Sequence, residues 1–539
     1  MRASVTRLLG ALLCGLLVFR FGVFADAALR AVRYRYSLDY GEGIVWQQAM
    51  LMLSPAAYGQ IDSFPWIVFH YTPVYHFLVR FFAAVSGGDV LSVGRAVSIV
   101  SFLGTSGAVG ALAAQCVRGT SRTHRIWLGI ISGLLVFSVS PAIRWSLLMR
   151  VDMVAHLFAF WGLWLAIKST NSPRLVVPAS LCFLVAVFTK QNAIAAPIAF
   201  FTVAAVIRPR VAAAGAAMCA VGGTLVLVVG ATLTDGRFLR HIFAYNVNRF
   251  SASQYTLLVS VLLGSLTLVA AAATTVALRR NARPPSRVRA KPRELLRRDA
   301  ACGEPDAKPF VVVHVAVATI MLAGMLKIGA SSNYAIEWLL LLCIVAGIGL
   351  SPMIECFEAT PATPATPQPI SSFFARTACV PLLLIAHSAA TPNPANGRFA
   401  SVEEAAELER LTARISCAER PVVSDDMVLL LRAGKRVEIE PAIAAELASV
   451  GSWDEVPYIR RIRNEEFSMF ITEGGPGDVD YDVRYTSNVS AAIQEHYPIV
   501  EHRAGYQIRS PRVARADQSN PRRMLCNGTP VPLPQAPAR

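Results

Sequence analysis

A polytopic α-helical membrane protein carrying a small soluble α/β domain at its C-terminal end is the fold class the sequence predicts. Three observations carry that reading. Residues 1–390 hold repeated apolar runs of roughly 18–24 residues, the length that crosses a hydrocarbon core. The 539-residue chain is 54% hydrophobic and only 16% charged, where a soluble globular chain carries about 25% charged residues. Residues 391–539 have the mixed polar composition of ordinary soluble sequence.

The apolar runs predict about eleven transmembrane helices, at 7–25, 93–117, 126–144, 153–168, 174–189, 192–207, 211–233, 255–278, 309–326, 335–353 and 372–390. The first run, Leu8–Phe24, lacks a small-residue cleavage site and reads as a retained span. The net charge of +16 raises nucleic acid as a partner, but its distribution argues against it. Ten of the basic residues fall between Arg279 and Lys308, in one loop between two spans. The aromatic interleaving of single-strand binders is missing.

Basic loops mark the cytoplasmic side of a membrane protein. With Arg2 and Arg7 in the cytoplasm, so are Arg118, Arg122 and Arg125, the Lys168–Arg174 turn, Arg208 with Arg210, and the ten-charge loop. The opposite face receives loops 30–92, 145–152 and 235–253, together with the tail. The C-terminal domain is therefore expected to be extracytoplasmic. Residues 64–86 are apolar enough to challenge this scheme, since a crossing there would flip every later loop. His70, His76, Arg80, Pro65 and Pro73 suit an interfacial helix better. Residues 47–53 are part of the first of two interfacial helices in the 30–92 loop.

Three divisions follow: a membrane domain at 1–390, a soluble α/β domain at 391–513 and a disordered Arg/Pro-rich end at 514–539. The Thr360–Pro369 stretch reads as an extended linker. Within the tail, helices are expected at 401–415, 427–433, 459–465 and 490–496. Strands are expected at 420–424, 467–471 and 506–508, in a partly parallel sheet. Cys417 and Cys526 are the two cysteines of the tail. An oxidising outer compartment allows them to pair, and spacing does not decide it.

The chemistry-bearing residues gather on the outer side. Asp39-Tyr40-Gly41-Glu42-Gly43 follows the first span, and Asp152 opens the fourth. Fixed charge beside lipid costs free energy and marks sites of chemistry or transport. The plainer alternative is an acid in the first turn of a helix, where the dipole favours it. Lys190 ends a span, where it either snorkels or neutralises an anion. Arg237, Arg240 and Arg249 are further anion contacts or solubilising loop charges.

In their order and sidedness these motifs resemble the integral-membrane glycosyltransferases of the GT-C fold, which use polyprenyl-phosphate sugars. The likeness is to the bacterial branch related to protein mannosyltransferases and aminoarabinose transferase. The pieces are Asp39-Tyr40-Gly41-Glu42-Gly43, His70-Tyr71-Thr72-Pro73, Gly94-Arg95, Arg150-Val151-Asp152-Met153, Phe188-Thr189-Lys190-Gln191, and Asn333-Tyr334 with Glu337. The chain departs from the pattern at Tyr40, where many relatives have a second acid. The resemblance implies transfer of a sugar from a lipid-linked donor to a glycan, lipid or protein acceptor. Asp39 or Glu42 is then the general base, and Asp152 orients the acceptor or holds a divalent metal such as Mg or Mn. Lys190 and the loop arginines meet the donor phosphate, while His70, Tyr71, Asn333, Tyr334 and Glu337 line the site. The rival classes are a transporter or lipid flippase, with ionisable residues on paired broken helices near the bilayer midplane, and a scaffold presenting the tail.

Overall fold

The computed structural model describes residues 2–117, 119–246, 248–281, 306–358 and 377–512. Most of the basic loop, the 360–369 linker, Cys526 and the 514–539 end lie outside the described residues. Cys417 is disulfide-bonded.

Helices occupy the apolar runs. Five among the described residues are long and apolar enough to cross a membrane, and two bent pairs bring the number to seven. The bends have local causes. Ser140–Ser146 starts with Pro141, and it leaves Arg122–Ser138 at 77°. A proline cannot continue the hydrogen-bond ladder of the helix before it. Ala252–Gly264 and Leu266–Arg280 meet at 61° across Ser265, a Gly-Ser break of the kind that kinks helices. Pro173–Val187, Ala195–Ile207 and Cys379–Ala390 are shorter apolar helices. The architecture is that of a multi-pass helical membrane protein.

The chain divides into two compact units. The first comprises Met1–Tyr34, Tyr71–Ile242 and Asn248–Asn396. Caps fix where its helices begin. Asp89 Oδ2 accepts the Ser92 amide at 3.1 Å to open Val90–Gln115, and Ser121 Oγ accepts the His124 amide at 2.9 Å to open Arg122–Leu135. These two helices pack backbone to backbone. A Cβ on Gly110 would stand 2.5 Å from the Gly129 carbonyl oxygen. Close approach through small residues is the main source of helix association in lipid, where no hydrophobic drive separates one apolar face from another. Arg95 is fully buried and donates to the carbonyls of Ala31 at 2.9 Å and Tyr34 at 2.6 Å. It thereby caps the C-terminal end of the first helix, Arg2–Arg33, with the charge its dipole favours.

The second unit comprises Arg35–His70, Phe243–Val247 and Gly397–Arg539. The contacts therefore group residues 35–70 of the long first loop with the soluble tail, whereas the sequence reading assigned that loop to the membrane domain. The unit is built on a four-stranded sheet: β1 (Val422–Ser424), β2 (Met469–Thr472), β3 (Ile499–Arg503) and β4 (Tyr506–Ser510), in the order β1-β2-β4-β3. β1 and β2 run parallel; β4 pairs antiparallel with both β2 and β3. A capping box at Ser401 and Glu404 opens the helix Val402–Ser416. The core gathers Tyr458, Phe467, Phe470, Tyr481 and Tyr497 with Trp66 of the first loop. The Trp66 amide donates to the Glu438 carbonyl at 2.8 Å. The expected interfacial helix at 64–86 is thus shorter than the sequence implied. Only Val74–Ser86 is helical, because Pro65 and Pro73 supply no amide for a longer ladder.

The Gly110–Gly129 contact is directly testable. Gly110→Val should destabilise the detergent-solubilised protein by about 1–3 kcal/mol, the usual cost of forcing extra carbons into a packed interior. Gly15 has nothing within 4 Å of its would-be Cβ. Gly15→Val should change the melting temperature far less, and equal losses in the two variants would remove the claim.

Candidate functional site

Three segments distant in sequence meet in the first unit. Asp152 is the first residue of the helix Asp152–Ser169 and is 1% exposed. Lys190 follows the helix Val176–Val187 and is 7% exposed. Asn333 sits in the single 3-10 turn Ser332–Ala335 that leads into Ile336–Ile348. Lys190 Nζ donates to Asp152 Oδ1 at 2.6 Å, and Asn333 Nδ2 donates to the same oxygen at 2.9 Å. Tyr334 presents its ring 5.1 Å from the ammonium, within cation–π range. Asp152 Oδ2 has no hydrogen-bond partner among the described residues.

The HYTP segment is anchored beside this group. Thr72 Oγ1 donates to the Val187 carbonyl at 3.2 Å, and the Val74 amide to the Phe188 carbonyl at 3.1 Å. Tyr75 Oη donates to the Gly94 carbonyl at 2.9 Å. The first two bonds tie the segment to the chain that leads into Thr189-Lys190, and the third ties it to the helix Val90–Gln115. Tyr71 consequently comes within electrostatic reach of Arg150, Asp152, Lys190 and Tyr334.

A cavity of about 20 Å³ adjoins the pair, lined by His156, Lys190, Asn192, Asn333, Tyr334 and Glu337 among others. That is room for one water. Glu337 Oε1 lies 2.7 Å from His314 Nε2, which orients both side chains. His156, one turn along its helix from Asp152, has no hydrogen-bond partner for either ring nitrogen among the described residues. A polar cavity lined by an unsatisfied imidazole is a place for a water or a ligand group. Sequence reading passed over His156 and His314. The available signal was the Asp152-x-x-x-His156 spacing, which puts both on one helix face inside an apolar run.

Of the residues singled out from sequence, Tyr71, Asp152, Lys190, Asn333, Tyr334 and Glu337 come together here. The three loop arginines do not line the cavity. Arg237 pairs with the exposed Asp235 at 3.3 Å, a geometry that contributes little in water. Arg240 and Arg249 are exposed.

Asp39, Glu42 and His70 belong to the second unit and are described within it. Glu42 is fully buried, opens the helix Glu42–Leu51, and its Oε2 accepts the Leu38 amide at 2.7 Å. Asp39 is half-buried, and its Oδ2 accepts the Gly41 amide at 3.1 Å. Tyr40 explains the departure from the family pattern. Its ring faces the Arg484 guanidinium at 4.3 Å, and its hydroxyl accepts the Ala442 amide at 3.2 Å. Arg484 is itself held by Asp425 at 2.9 Å and Glu473 at 2.8 Å. Burial pushes the Asp425 carboxyl above its ordinary range, against the opposing pull of Arg484. A Cβ on Gly43 would stand 2.6 Å from Met427, so the motif lies flat against the tail only because that position is glycine. Gln47 completes the clamp by exchanging two bonds of 2.6 Å with the Val437 backbone.

The metal expectation meets a different donor set. Asp152 Oδ1 already carries an ammonium and an amide, and no group of three or more His, Cys, Asp or Glu side chains among the described residues converges to hold an ion.

A bundle of apolar helices with a buried acid–lysine pair, in a chain that also carries a mixed-sheet unit, defines a class before it defines a protein. That class is the GT-C fold. Crystal structures of ArnT, an aminoarabinose transferase, from Cupriavidus metallidurans match over 92% of this chain and 98% of theirs. The apo structure gives a TM-score of 0.56 at 13% identity, and the one bound to undecaprenyl phosphate 0.53 at 12%. The archaeal oligosaccharyltransferase AglB from Archaeoglobus fulgidus, in complex with an inhibitory peptide and a dolichol-phosphate, gives 0.49 at 10% identity, over 89% of this chain and 72% of that one. At such identities the ArnT likeness speaks for the fold. No protein-family profile and no curated protein sequence matches the chain.

The buried pair makes a stability prediction. Lys190→Met alone strands a buried carboxylate and should cost on the order of 3–5 kcal/mol. Pairing it with Asp152→Leu removes the stranded charge and should recover most of that loss in a melting assay. A double variant no more stable than Lys190→Met would contradict the pairing.

Proposed function

We propose that the protein transfers a sugar from a polyprenyl-phosphate donor to an extracytoplasmic glycan, lipid or protein acceptor. One observation carries this reading: a lysine ammonium held beside a cavity by a carboxylate that an asparagine amide also holds, inside a GT-C fold. An ammonium has three N–H groups, and Asp152 takes one. The other two meet the donor phosphate, and the neighbouring Asp152 fixes their direction. Arg237, Arg240 and Arg249 supplement that charge from the loop. Tyr71, Asn333, Tyr334 and Glu337 line the donor side, and His70 belongs to the acceptor. Undecaprenyl phosphate bound to ArnT of the same fold supports a lipid-phosphate donor.

In the proposed reaction an acceptor hydroxyl oxygen attacks the anomeric carbon. The bond from that carbon to the phosphate oxygen breaks, and the polyprenyl phosphate leaves with the electron pair. The hydroxyl proton passes to a carboxylate base. Asp39 is the first choice, since the Glu42 carboxylate is buried and turned back onto the Leu38 amide. Asp152 orients the acceptor or the lysine. The eleven-span topology, with basic loops in the cytoplasm and the tail outside a bacterial inner membrane, belongs to the same proposal. A transporter would concentrate its ionisable groups on broken helices. Here Asp152 opens an intact helix and Lys190 follows one, which favours the transferase.

Donor titration on matched amounts of folded protein tests the lysine. Lys190→Ala should weaken donor affinity roughly tenfold to a hundredfold, the worth of a charge-assisted hydrogen bond. Lys190→Arg should keep part of it, because charge survives while geometry changes. Unchanged affinity in Lys190→Ala would end the phosphate role.

The base is tested by rate. Asp39→Asn keeps the size of the side chain and removes the proton acceptor, so transfer should fall by about 10²–10⁴ with donor affinity retained. Near-normal transfer in both Asp39→Asn and Glu42→Gln would exclude this motif as the base.

A further inference from the structure

A second and larger cavity, of about 340 Å³, lies in the first unit and shares no lining residue with the one beside Lys190. It opens where both bent helix pairs break. Ser138, Val139 and Ser140 from the first bend line it, as do Gly264 and Ser265 from the second. Its ionisable lining residues are Arg144 and His387, with no acid among the lining residues. His387 is 6% exposed; Thr267 Oγ1 lies 3.1 Å from its Nδ1, and its Nε2 has no hydrogen-bond partner among the described residues. In the tautomer with its proton on Nε2, Nδ1 accepts from the Thr267 hydroxyl and the Nε2–H is the donor, with the Ser138 backbone carbonyl as its neighbour within the protein. The helix Leu266–Asn281 also begins here, one residue after the preceding helix; the Ser265 amide is bonded to Val261 and Leu262 and the Val269 amide to Ser265, so the positive end of its dipole is carried by the amides of Leu266, Thr267 and Leu268. Val261 and Leu268 supply an apolar flank.

We propose that this cavity is an anion site that takes a phosphate group, with Arg144, His387 Nε2–H and the Leu266 helix start as its donors. The apolar flank and the position within the helical bundle favour the phosphate of a lipid headgroup over a free phosphate ion. A guanidinium is suited to this task by its fixed fork of donors. The proposal stands apart from the transferase reading, since none of these residues contributes to the Asp152–Lys190 cluster.

The test is binding of dioleoyl phosphatidic acid to the full chain in detergent, measured by native mass spectrometry. Dioleoyl phosphatidylcholine and inorganic phosphate are the comparison probes. Phosphatidic acid should bind more tightly than phosphatidylcholine, whose choline offsets the phosphate charge. Arg144→Gln should weaken it about tenfold or more, as expected for loss of a charge-assisted bond, and His387→Phe should weaken it as well. Arg144→Lys keeps the charge and should keep most of the binding, which guards against misreading a folding defect. Competition by inorganic phosphate would support the anion site and assign its natural occupant to free phosphate; absence of competition would assign it to the lipid. Equal binding of the two lipids, or unchanged binding in Arg144→Gln, overturns the proposal. Loss of phosphatidic acid binding in Lys190→Ala but not in Arg144→Gln also overturns it, because the phosphate would then sit in the other cavity.

Discussion

A carboxylate and an ammonium share one hydrogen bond of 2.6 Å inside an apolar helical bundle, and the first unit is organised around that constraint. Neither charge is stable there alone, because moving a single ion out of water costs several kcal/mol even after the protein relaxes. The pair therefore fixes three things together: the start of Asp152–Ser169, the chain after Val176–Val187 and the turn at Asn333. A bond from each of two segments converges on one carboxylate oxygen. The same constraint gives function its opening. An ammonium whose direction is set by one acceptor has already lost the freedom that binding an anion would otherwise remove, which suits the phosphate role proposed for it.

The second unit applies similar logic to the first-loop motif. An acid-bearing loop beside a membrane has no core of its own. The tail provides one, through the Asp425–Arg484–Tyr40 chain of contacts, the Gln47–Val437 exchange and the close approach at Gly43. The half-buried positive charge of Arg484, held by two carboxylates, gives Tyr40 a fixed face to rest on. The tail is thus a scaffold for Asp39 and Glu42 within one folded unit, a role its composition did not disclose.

Much of this architecture was legible in the chain. Apolar runs of bilayer length are a strong signal, and helices occupy them. The count was less legible, because a bend such as that at Ser265 turns one hydrophobic run into two pieces, and length alone does not say whether a short helix crosses. In the tail, β1, β2 and β4 were readable as short hydrophobic stretches, whereas β3 was missed. Its Ile499–Arg503 segment is largely exposed and carries Glu501, His502 and Arg503, so it lacks the apolar alternation of a buried strand. The cue was Ala504-Gly505, both at positive φ, which is the turn geometry that joins β3 to β4. Within the site, Asp152, Lys190 and Asn333 stood out as polar residues at span ends. Their meeting depends on tertiary packing, which no single-sequence pattern encodes. His156 and His314 hid in apolar runs, and the grouping of residues 35–70 with the tail rests on long-range contacts such as Trp66 with Glu438.

The central claim is that Lys190, aimed by Asp152, receives the phosphate of a lipid-linked sugar. A cryo-electron microscopy structure of the full chain in nanodiscs with a polyprenyl phosphate bound measures this most directly. Phosphate density is expected within roughly 2.7–2.9 Å of Lys190 Nζ, the length of a charge-assisted bond, with the Asp152–Lys190 contact retained. A phosphate seated elsewhere, with Lys190 bonded to Asp152 alone, would contradict it.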